Sequence, residues 1–571
     1  MTHGRQDGRQ SVQEISALEK EVRLFAEGGL PADAFRPRRT LFGVYGQRQK
    51  DRYMLRVRVP LGILDAQQLE ALGDVASLHS RGFGYVTTRQ DVQFHFLQLE
   101  HVIPALRRLA AAELTTREAG GNVVRNITCD PLAGICREAV FDVTPHALAL
   151  TNHFLRNPGT QSLPRKIKIA VSGCPDDHAA TSIHDVGVIS TQRAGLNGFQ
   201  VFVGGGLGTV PRQAEMLEDF VPAEELVRTC DAILRVFDRL GDRKTRVRSR
   251  LKFLVARVGI EEFRRLVRAQ LDEMPPVESG EYAMPDEQAA ESPPELRGPG
   301  AVGPPNEGFD LWRSANAIAQ RQQPYRAVEV ALPAGAVTAE QFAALGAIAR
   351  QFGGGSLRTT IRQNVLLRWV HERDLSSLHH ALASAGLATP IAGTLLDPVA
   401  CPGAESCMSG ITNAKGMARA IVAELSTPGE GRWLHARATL NVSGCPNSCG
   451  QHYLGDIGLA GCAMHVDGRL LPTYQLFVKP GDNLLGEPVG RLAAKQVPQA
   501  IRVLLEAFEA DRAEDESLRQ FLRRTGAEGI RHALTEFREL PLFQEDPTAY
   551  VDWDMNKLFS LDERGEGECS V

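Results

Sequence analysis

The chain repeats itself, and this constrains its fold more than any other feature. RVPLGILDAQQLEALG, ending at Gly73, matches ALPAGAVTAEQFAALG, ending at Gly346, with Pro60 and Pro333 in register at an offset of 273 residues. Thr88-Arg89-Gln90 falls on Ile361-Arg362-Gln363 at the same offset, and Ser172-Gly173-Cys174-Pro175 on Ser443-Gly444-Cys445-Pro446 at an offset of 271. Asp185-Val186-Gly187 then meets Asp456-Ile457-Gly458, again at 271. A register kept over most of each half reads as a duplication. Between the halves, from Glu273 through Gly308, the chain is rich in Pro, Gly and acids without a sustained period, and reads as a linker.

Each repeat opens with an alternating strand (MLRVRVP; AVEVALP), followed by a helix-period stretch. A second alternating strand (GYVTTRQDVQFHF; SLRTTIRQNVLLRWV) and a further helix ending near Leu114 or Leu387 complete the unit. That order is βαβ-like, with room for a split, ferredoxin-like sheet. Strands RKIKIAVSG and HARATLNVSG then lead into two Cys-Pro turns, and the fold class is α+β or α/β. At 571 residues the chain has length for three or four domains at about 150 residues each.

The cysteines sharpen the chemistry. Ten in a chain of 571 are too sparse for a disulfide scaffold, yet four fall in two close pairs: Cys401-Pro-Gly-Ala-Glu-Ser-Cys407, then 37 residues, then Cys445-Pro-Asn-Ser-Cys449. Zinc ribbons use tighter C-x2-C knuckles, whereas a [4Fe–4S] cube needs four thiolates on loops that wrap further. Structural zinc and buried core thiols are the competing readings. Cys129, Cys136, Cys230, Cys462 and Cys569 show no partner pattern and read as ordinary thiols, with Cys462 notable for lying near the second pair.

The first half differs where it matters. Cys174-Pro-Asp-Asp-His178 stands in the register of Cys445-Pro-Asn-Ser-Cys449, so a histidine replaces the fourth thiolate and this half cannot build the same cluster. It carries cations instead: Arg56, Arg58, Arg89, Arg125, Arg165, Lys166 and Lys168, where the offsets place Glu329, Ala331 and Thr439 opposite Arg56, Arg58 and Lys168. Alternation along RKIKIA puts Lys166 and Lys168 on one face. One half therefore reads as a thiolate site and the other as an anion pocket. Lys+Arg of 64 against Asp+Glu of 69 gives a net charge of −5, with no basic excess for nucleic acid. The N-terminus has no apolar core and no uninterrupted 18-residue apolar run occurs, so the reading is cytoplasmic, without a membrane partner.

With these residues in view, the sequence resembles the siroheme- and [4Fe–4S]-containing reductases of sulfite and nitrite. MLRVRVPLG, TTRQDVQF, the Arg125-Asn126 pair, LPRKIK, GFQVFVGGGLG, CPGAESC and SGCPNSCGQ occur in that family's order, over roughly residues 40 to 540. The resemblance implies two ferredoxin-like halves about a pseudo-two-fold axis plus two cofactor-binding α/β domains. On this chain it implies an N-terminal extension over 1–45, ferredoxin-like half 1 over 46–120, and a siroheme- and anion-binding domain over 121–272. A linker over 273–310, half 2 over 325–392, a [4Fe–4S]/siroheme domain over 393–540 and a tail over 541–571 follow. Cys401, Cys407, Cys445 and Cys449 would bind the cluster, with Cys449 bridging to siroheme iron. Arg56, Arg125, Lys166 and Lys168 would hold the anion and help deliver protons. Arg58, Arg89, Arg165, Arg246, Arg250 and Lys252 would meet siroheme carboxylates, with Thr87, Gln93 and Asn447 as polar contacts. The glycine run Gly204-Gly205-Gly206-Leu207-Gly208 lacks the full G-x-G-x-x-G and reads as a tight turn near the haem rather than a dinucleotide loop.

No segment is left for a flavin or nicotinamide domain, so the electrons come from a partner: ferredoxin by resemblance, or a separate flavoprotein. The substrate hints conflict. Lys168 stands where nitrite-reducing relatives tend to carry Asn, and a second ammonium suits the bulkier dianion, sulfite. CPNSCGQ with Gln451, and TTIRQN at Thr359 to Asn364, look closer to the nitrite branch. The pocket residue would touch the substrate, so the expectation is sulfite. Two other classes remain distinguishable: an iron–sulfur electron-transfer or sensor protein would lack a haem band, and a structural zinc protein would hold zinc without iron.

Overall fold

The computed structural model describes residues 7–286, 290–294, 305–426, 433, 437–479 and 483–568. Its strands fall into four groups of five. The first group is β1 (Val44–Gly46), β2 (Tyr53–Val57), β3 (Ile63–Asp65), β4 (Phe83–Val86) and β5 (Val92–Leu97). Next come β6 (Thr128–Cys129), β7 (Ile169–Ser172), β8 (Val186–Arg193), β9 (Leu196–Val203) and β10 (Glu215–Pro222). The second half repeats both: β11 (Ala317–Ala319), β12 (Tyr325–Val330), β13 (Ala336–Thr338), β14 (Ser356–Thr359), β15 (Val365–His371), then β16 (Val399–Ala400), β17 (Leu440–Ser443), β18 (Ile457–Val466), β19 (Arg469–Val478), β20 (Glu487–Ala493).

The two ferredoxin-like sheets exchange a strand. One runs β1-β2-β5-β4-β13 and the other β11-β12-β15-β14-β3, so each is closed by a short strand from the opposite half. The exchange depends on a kink just before it. Gly62 and Gly335 occupy φ of +76° and +75°, and a Cβ there would lie 2.5 Å from the Thr359 carbonyl oxygen and 2.3 Å from that of Val86, so only glycine fits. Asp65 and Thr338 then cap helices Ala66–His79 and Ala339–Phe352, each reciprocated by a glutamine, Gln68 or Gln341. These helices approach closely at the aligned glycines: a Cβ on Gly73 would sit 3.0 Å from the Ala339 oxygen, and one on Gly346 3.1 Å from that of Ala66. Around the crossing, Leu69, Leu72, Val75, Phe342, Leu345 and Ala349 belong to one apolar core shared by both halves.

The remaining sheets are mixed. β6, β7 and β8 are parallel and β9 and β10 continue antiparallel; β16 through β20 do the same. Each packs helices on its own core: Leu226–Leu240 and Ile260–Asp272 in the first half, Val497–Asp511 and Leu518–Ala533 in the second. Two glutamines lock these sheets to the ferredoxin-like pair. Gln90 accepts from the Cys129 amide at 2.9 Å and donates to the Thr359 carbonyl at 2.8 Å; Gln363 accepts from Ala400 N–H at 2.7 Å and donates to Val86 O at 3.0 Å.

Two sequence expectations need correction. GYVTTRQDVQFHF and SLRTTIRQNVLLRWV are hairpins, not single strands, because Thr87 and Thr360 turn the chain. The Thr87 hydroxyl accepts from Arg89 and Asp91 N–H, as Thr360 does from Arg362 and Asn364. In RKIKIAVSG the strand begins only at Ile169, so Lys166 and Lys168 lie on its approach. The linker is also more than a spacer. Glu291 docks on β14 and β15 of the second half, pairing with Arg358 at 3.0 Å and Arg368 at 3.3 Å and accepting from Trp369 Nε1 at 3.1 Å. Burial would raise its carboxyl, but Arg358 and Arg368 hold it down to about 2.

Candidate active site

The cation pocket begins at the Thr87–Asp91 turn, which holds Arg89 against the sheet; its Nη2 donates to Ile169 O at 3.0 Å. Burial pushes Arg89 down to about 9, with Arg125 and Arg250 lowering it further against attraction from Asp91 and Asp185. Arg125 is locked by the Ala119 carbonyl at 2.8 Å and by Gly121 O at 3.1 Å from Nε. Arg56 on β2 also donates to Ala119 O, at 3.1 Å, and lies 5.0 Å from the Tyr45 ring centroid. Opposite it on β5, Gln93 with its amide turned so that the oxygen faces the guanidinium accepts from Arg56 Nε at 2.9 Å and Nη2 at 3.0 Å.

Asp185, fully buried, organises the other wall. It binds Arg250 through two parallel hydrogen bonds of 2.9 Å and accepts from the Lys168 backbone N–H at 2.9 Å. Burial pushes the Lys168 ammonium down to about 7, with Arg250 and Arg89 adding to the effect and the Cys449 thiolate and Asp185 opposing it. That attraction links the halves electrostatically. A backbone contact adds a direct link, since the Thr88 hydroxyl donates to the Cys449 carbonyl at 3.1 Å. The cations of one half therefore face the cysteines of the other.

The four thiols belong to one cluster of charges. Burial raises Cys445, and Cys449, Cys401 and Cys407 raise it further. Burial likewise pushes Cys401 up to about 11, Cys449 adding to the rise, while Gly444 N–H donates to its Sγ at 3.2 Å. The Asn447 amide also favours the Cys445 thiolate, and both Asn447 and Cys449 are exposed. Arg165 is buried against Asn122 Oδ1 at 3.4 Å, Lys166 is half-buried, and Arg246 is exposed on the turn Arg246–Arg248.

Two expected cofactor contacts are employed elsewhere. Arg58 has no exposed surface and pairs at 3.5 Å with Glu118, also fully enclosed, so it braces the interior. Lys252 gives its ammonium to the carbonyls of Gly206 and Leu207, at 3.3 and 3.0 Å, and to Val210, and so anchors the glycine loop. That loop closes over Arg250, whose Nη2 a Cβ on Gly206 would approach to 2.9 Å.

The other cysteines divide. Burial pushes Cys129 and Cys230 up to about 12, and Cys462 donates to Ala460 O at 3.4 Å; Cys569 lies outside the described residues. Cys136 is no isolated thiol. Its Sγ is 3.5 Å from that of Cys174, beside His178. The 271-residue offset carries Cys136 onto Cys407 and Asp130 onto Cys401, a signal present in the sequence and missed because Asp and Cys do not look alike.

The family model of the nitrite and sulphite reductase 4Fe-4S domain matches residues 120–274 and 392–540, and that of the nitrite/sulfite reductase ferredoxin-like half domain matches 45–112 and 318–385. The chain belongs to this reductase family. A ferredoxin–nitrite reductase of Synechococcus elongatus is 32% identical over 484 residues, covering 80% of this reductase and 87% of its relative. A sulfite reductase [ferredoxin] of Mycolicibacterium paratuberculosis is 31% identical over 412 residues, 72% of this chain and 70% of the other. The solved structure of Mycobacterium tuberculosis NirA superposes with a TM-score of 0.75 at 25% identity, covering 90% of this reductase and 97% of that chain. The duplicated ferredoxin-like reading is thereby borne out. Among the described residues no helix is long and apolar enough to cross a membrane.

Siroheme and a [4Fe–4S] cluster are the cofactors of such a reductase, and its donors fit them. Four thiols converge from two loops, while Arg89, next in the chain to the Thr88 that meets the Cys449 carbonyl, keeps its Nε buried without a partner. Thiolates for iron and guanidiniums for carboxylates are the groups that this pair of cofactors demands.

Proposed function

We propose that this reductase converts sulfite to sulfide in six electrons, with reduced ferredoxin as donor, in the cytoplasm, where unpaired thiols such as these stay reduced. The observation that carries the reading is the cation cluster set against the cysteines: Asp185 holds both Arg250 and the Lys168 backbone N–H at 2.9 Å, and the Thr88 hydroxyl beside Arg89 reaches the Cys449 carbonyl at 3.1 Å. Cys401, Cys407, Cys445 and Cys449 would hold the cluster, and the cofactors when bound would supply electrons singly for reduction of the anion. Arg89, Arg165 and Arg250, with Arg246 and Asn447, are the side chains assigned to siroheme's carboxylates and rim. Thr87 and Gln93 act one step back, shaping the Arg89 turn and orienting Arg56.

Arg56, Arg125, Lys166 and Lys168 receive the anion. The Ala119 and Gly121 carbonyls fix Arg56 and Arg125 in advance, so no reorganisation is spent when negative charge arrives. A lysine near 7 both binds an anion as ammonium and releases a proton at little cost. Lys168 would pass that proton to an oxygen leaving as water, and Asp185 would keep its backbone in place.

Nitrite is the second reading, favoured by the TTIRQN and CPNSCGQ segments. The deciding experiment compares anaerobic kcat/KM for the two anions with a chemically reduced donor. A higher value for sulfite is expected, and Lys168→Asn should shift the ratio toward nitrite with an unaltered spectrum. An unchanged ratio removes the basis of the assignment; a wild-type preference for nitrite transfers the enzyme to that substrate.

A further inference from the structure

The first half repeats the cluster loops with different donors. The 271-residue offset that aligns Cys174 with Cys445 places Asp130 at Cys401, Cys136 at Cys407 and His178 at Cys449. The backbone follows the same path in both halves. Asp130 N–H donates to Val171 O at 2.9 Å as Cys401 N–H does to Val442 O at 3.2 Å, and Cys136 N–H to Leu132 O at 2.9 Å as Cys407 N–H does to Gly403 O at 3.0 Å. The scaffold that converges four thiols in one half therefore converges Asp, Cys, Cys and His in the other.

The side chains complete the geometry. Cys136 Sγ, Cys174 Sγ and a ring nitrogen of His178 all lie within 4.8 Å of one another. The two sulfurs are 3.5 Å apart; around a tetrahedral zinc with Zn–S near 2.3 Å they would sit about 3.8 Å apart. Asp130, fully buried, meets His178 Nδ1 at 3.3 Å, which leaves Nε2 for a metal and fixes the ring as carboxylates do behind zinc-bound histidines. Leu132 and Ala139 pack around the thiols, while the His178 side chain is 30% exposed and marks the way in.

We propose that Cys136, Cys174 and His178 bind one zinc ion, oriented by Asp130, at the pseudo-symmetric counterpart of the iron–sulfur site. Two thiolates and an imidazole suit zinc, and a span of a few ångströms admits one ion rather than a cube. The fourth position takes water or the Glu138 carboxylate, whose Oε2 is 3.4 Å from Cys136 Sγ. The ion ties the Asp130–Cys136 loop to the Cys174–His178 turn, as the cluster ties their counterparts. Binding releases the thiol protons, so occupancy rises with pH.

The test is elemental analysis of the full-length holoenzyme, as purified and after incubation with zinc(II) followed by desalting, together with zinc-edge X-ray absorption. One zinc per chain is expected, with two sulfur scatterers at about 2.3 Å. Cys136→Ser/Cys174→Ser should lose that zinc and keep iron, labile sulfide and the haem band. Asp130→Asn should weaken zinc binding about 10- to 100-fold. The wild-type spectrum decides the matter even where a variant misfolds. Holoenzyme that holds no zinc after incubation, zinc without sulfur scatterers, or a Cys136–Cys174 disulfide in a non-reducing peptide map would each overturn the proposal.

Discussion

The two halves share their frame and differ in what they hang on it. Asp185 grips Arg250 and the Lys168 amide; at the matching place Asp456 grips Arg519 at 2.9 Å and the Thr439 amide at 2.8 Å. Beside that common pair the charges invert. Arg56 of the first half becomes Glu329, Asn126 becomes Asp397, and Asp91 becomes Asn364. Asn364 donates to both Glu329 and Asp397 at 2.8 Å, and burial raises both carboxyls, so carboxyls tied by an amide stand where the first half carries a cation. Two copies of one architecture thus present cations in one half and clustered cysteines in the other by exchange of a few side chains, while matching backbone hydrogen bonds such as Asp130 N–H to Val171 O and Cys401 N–H to Val442 O are kept.

That division can be attacked by making each half resemble the other. The largest effect is expected from Cys449→His, which gives the second half the donor of the first: labile sulfide, most of the iron and all turnover should disappear on elemental and kinetic assay. Lys168→Thr, the reciprocal change, should leave the cofactor absorption in place and lower kcat/KM about 10²-fold, the scale seen when one stabilising donor is removed. Retention of full kcat/KM would show that Lys168 does not meet the anion.

Acidity sharpens the same contrast at smaller scale. Lys168 has its ammonium below its lowered value of about 7 and loses it above, so the anion is held well at low pH and ever less well as pH rises through neutrality. KM should climb up to tenfold per unit above that point, and Lys168→Arg should flatten the profile. The smallest effects belong to the region where the halves agree. Gly73→Ala and Gly346→Ala each place a methyl against a carbonyl, and both should lower stability by a similar 1–3 kcal/mol, about the usual cost of overpacking, in denaturant melts. A large difference between them would break the symmetry of the core.

Much of this was legible in the sequence, for identifiable reasons. The offsets of 273 and 271 residues state the duplication outright, and four clustered cysteines state a cluster. The strand exchange was not legible, because β3 and β13 are three residues each and their partners lie in the other half. The hairpin turns at Thr87 and Thr360 escaped notice because they contain neither Gly nor Pro; a threonine hydroxyl does that work. Arg58 and Lys252 read as cofactor contacts in the sequence because composition carries no sign of their enclosure by Glu118 and by three carbonyls. Asp130 and Cys136 are legible at the same 271-residue offset, which carries them onto Cys401 and Cys407.

The most direct measurement of the central claim, that the cations of the first half and the thiolates of the second form one site, is a visible absorption titration of oxidised holoenzyme with sulfite, in wild type and Lys168→Thr. A shift of the haem band in the wild type, weakened about 10²-fold in the variant with its starting spectrum unchanged, is the predicted result. Superimposable titrations would contradict the account and place the anion site away from Lys168.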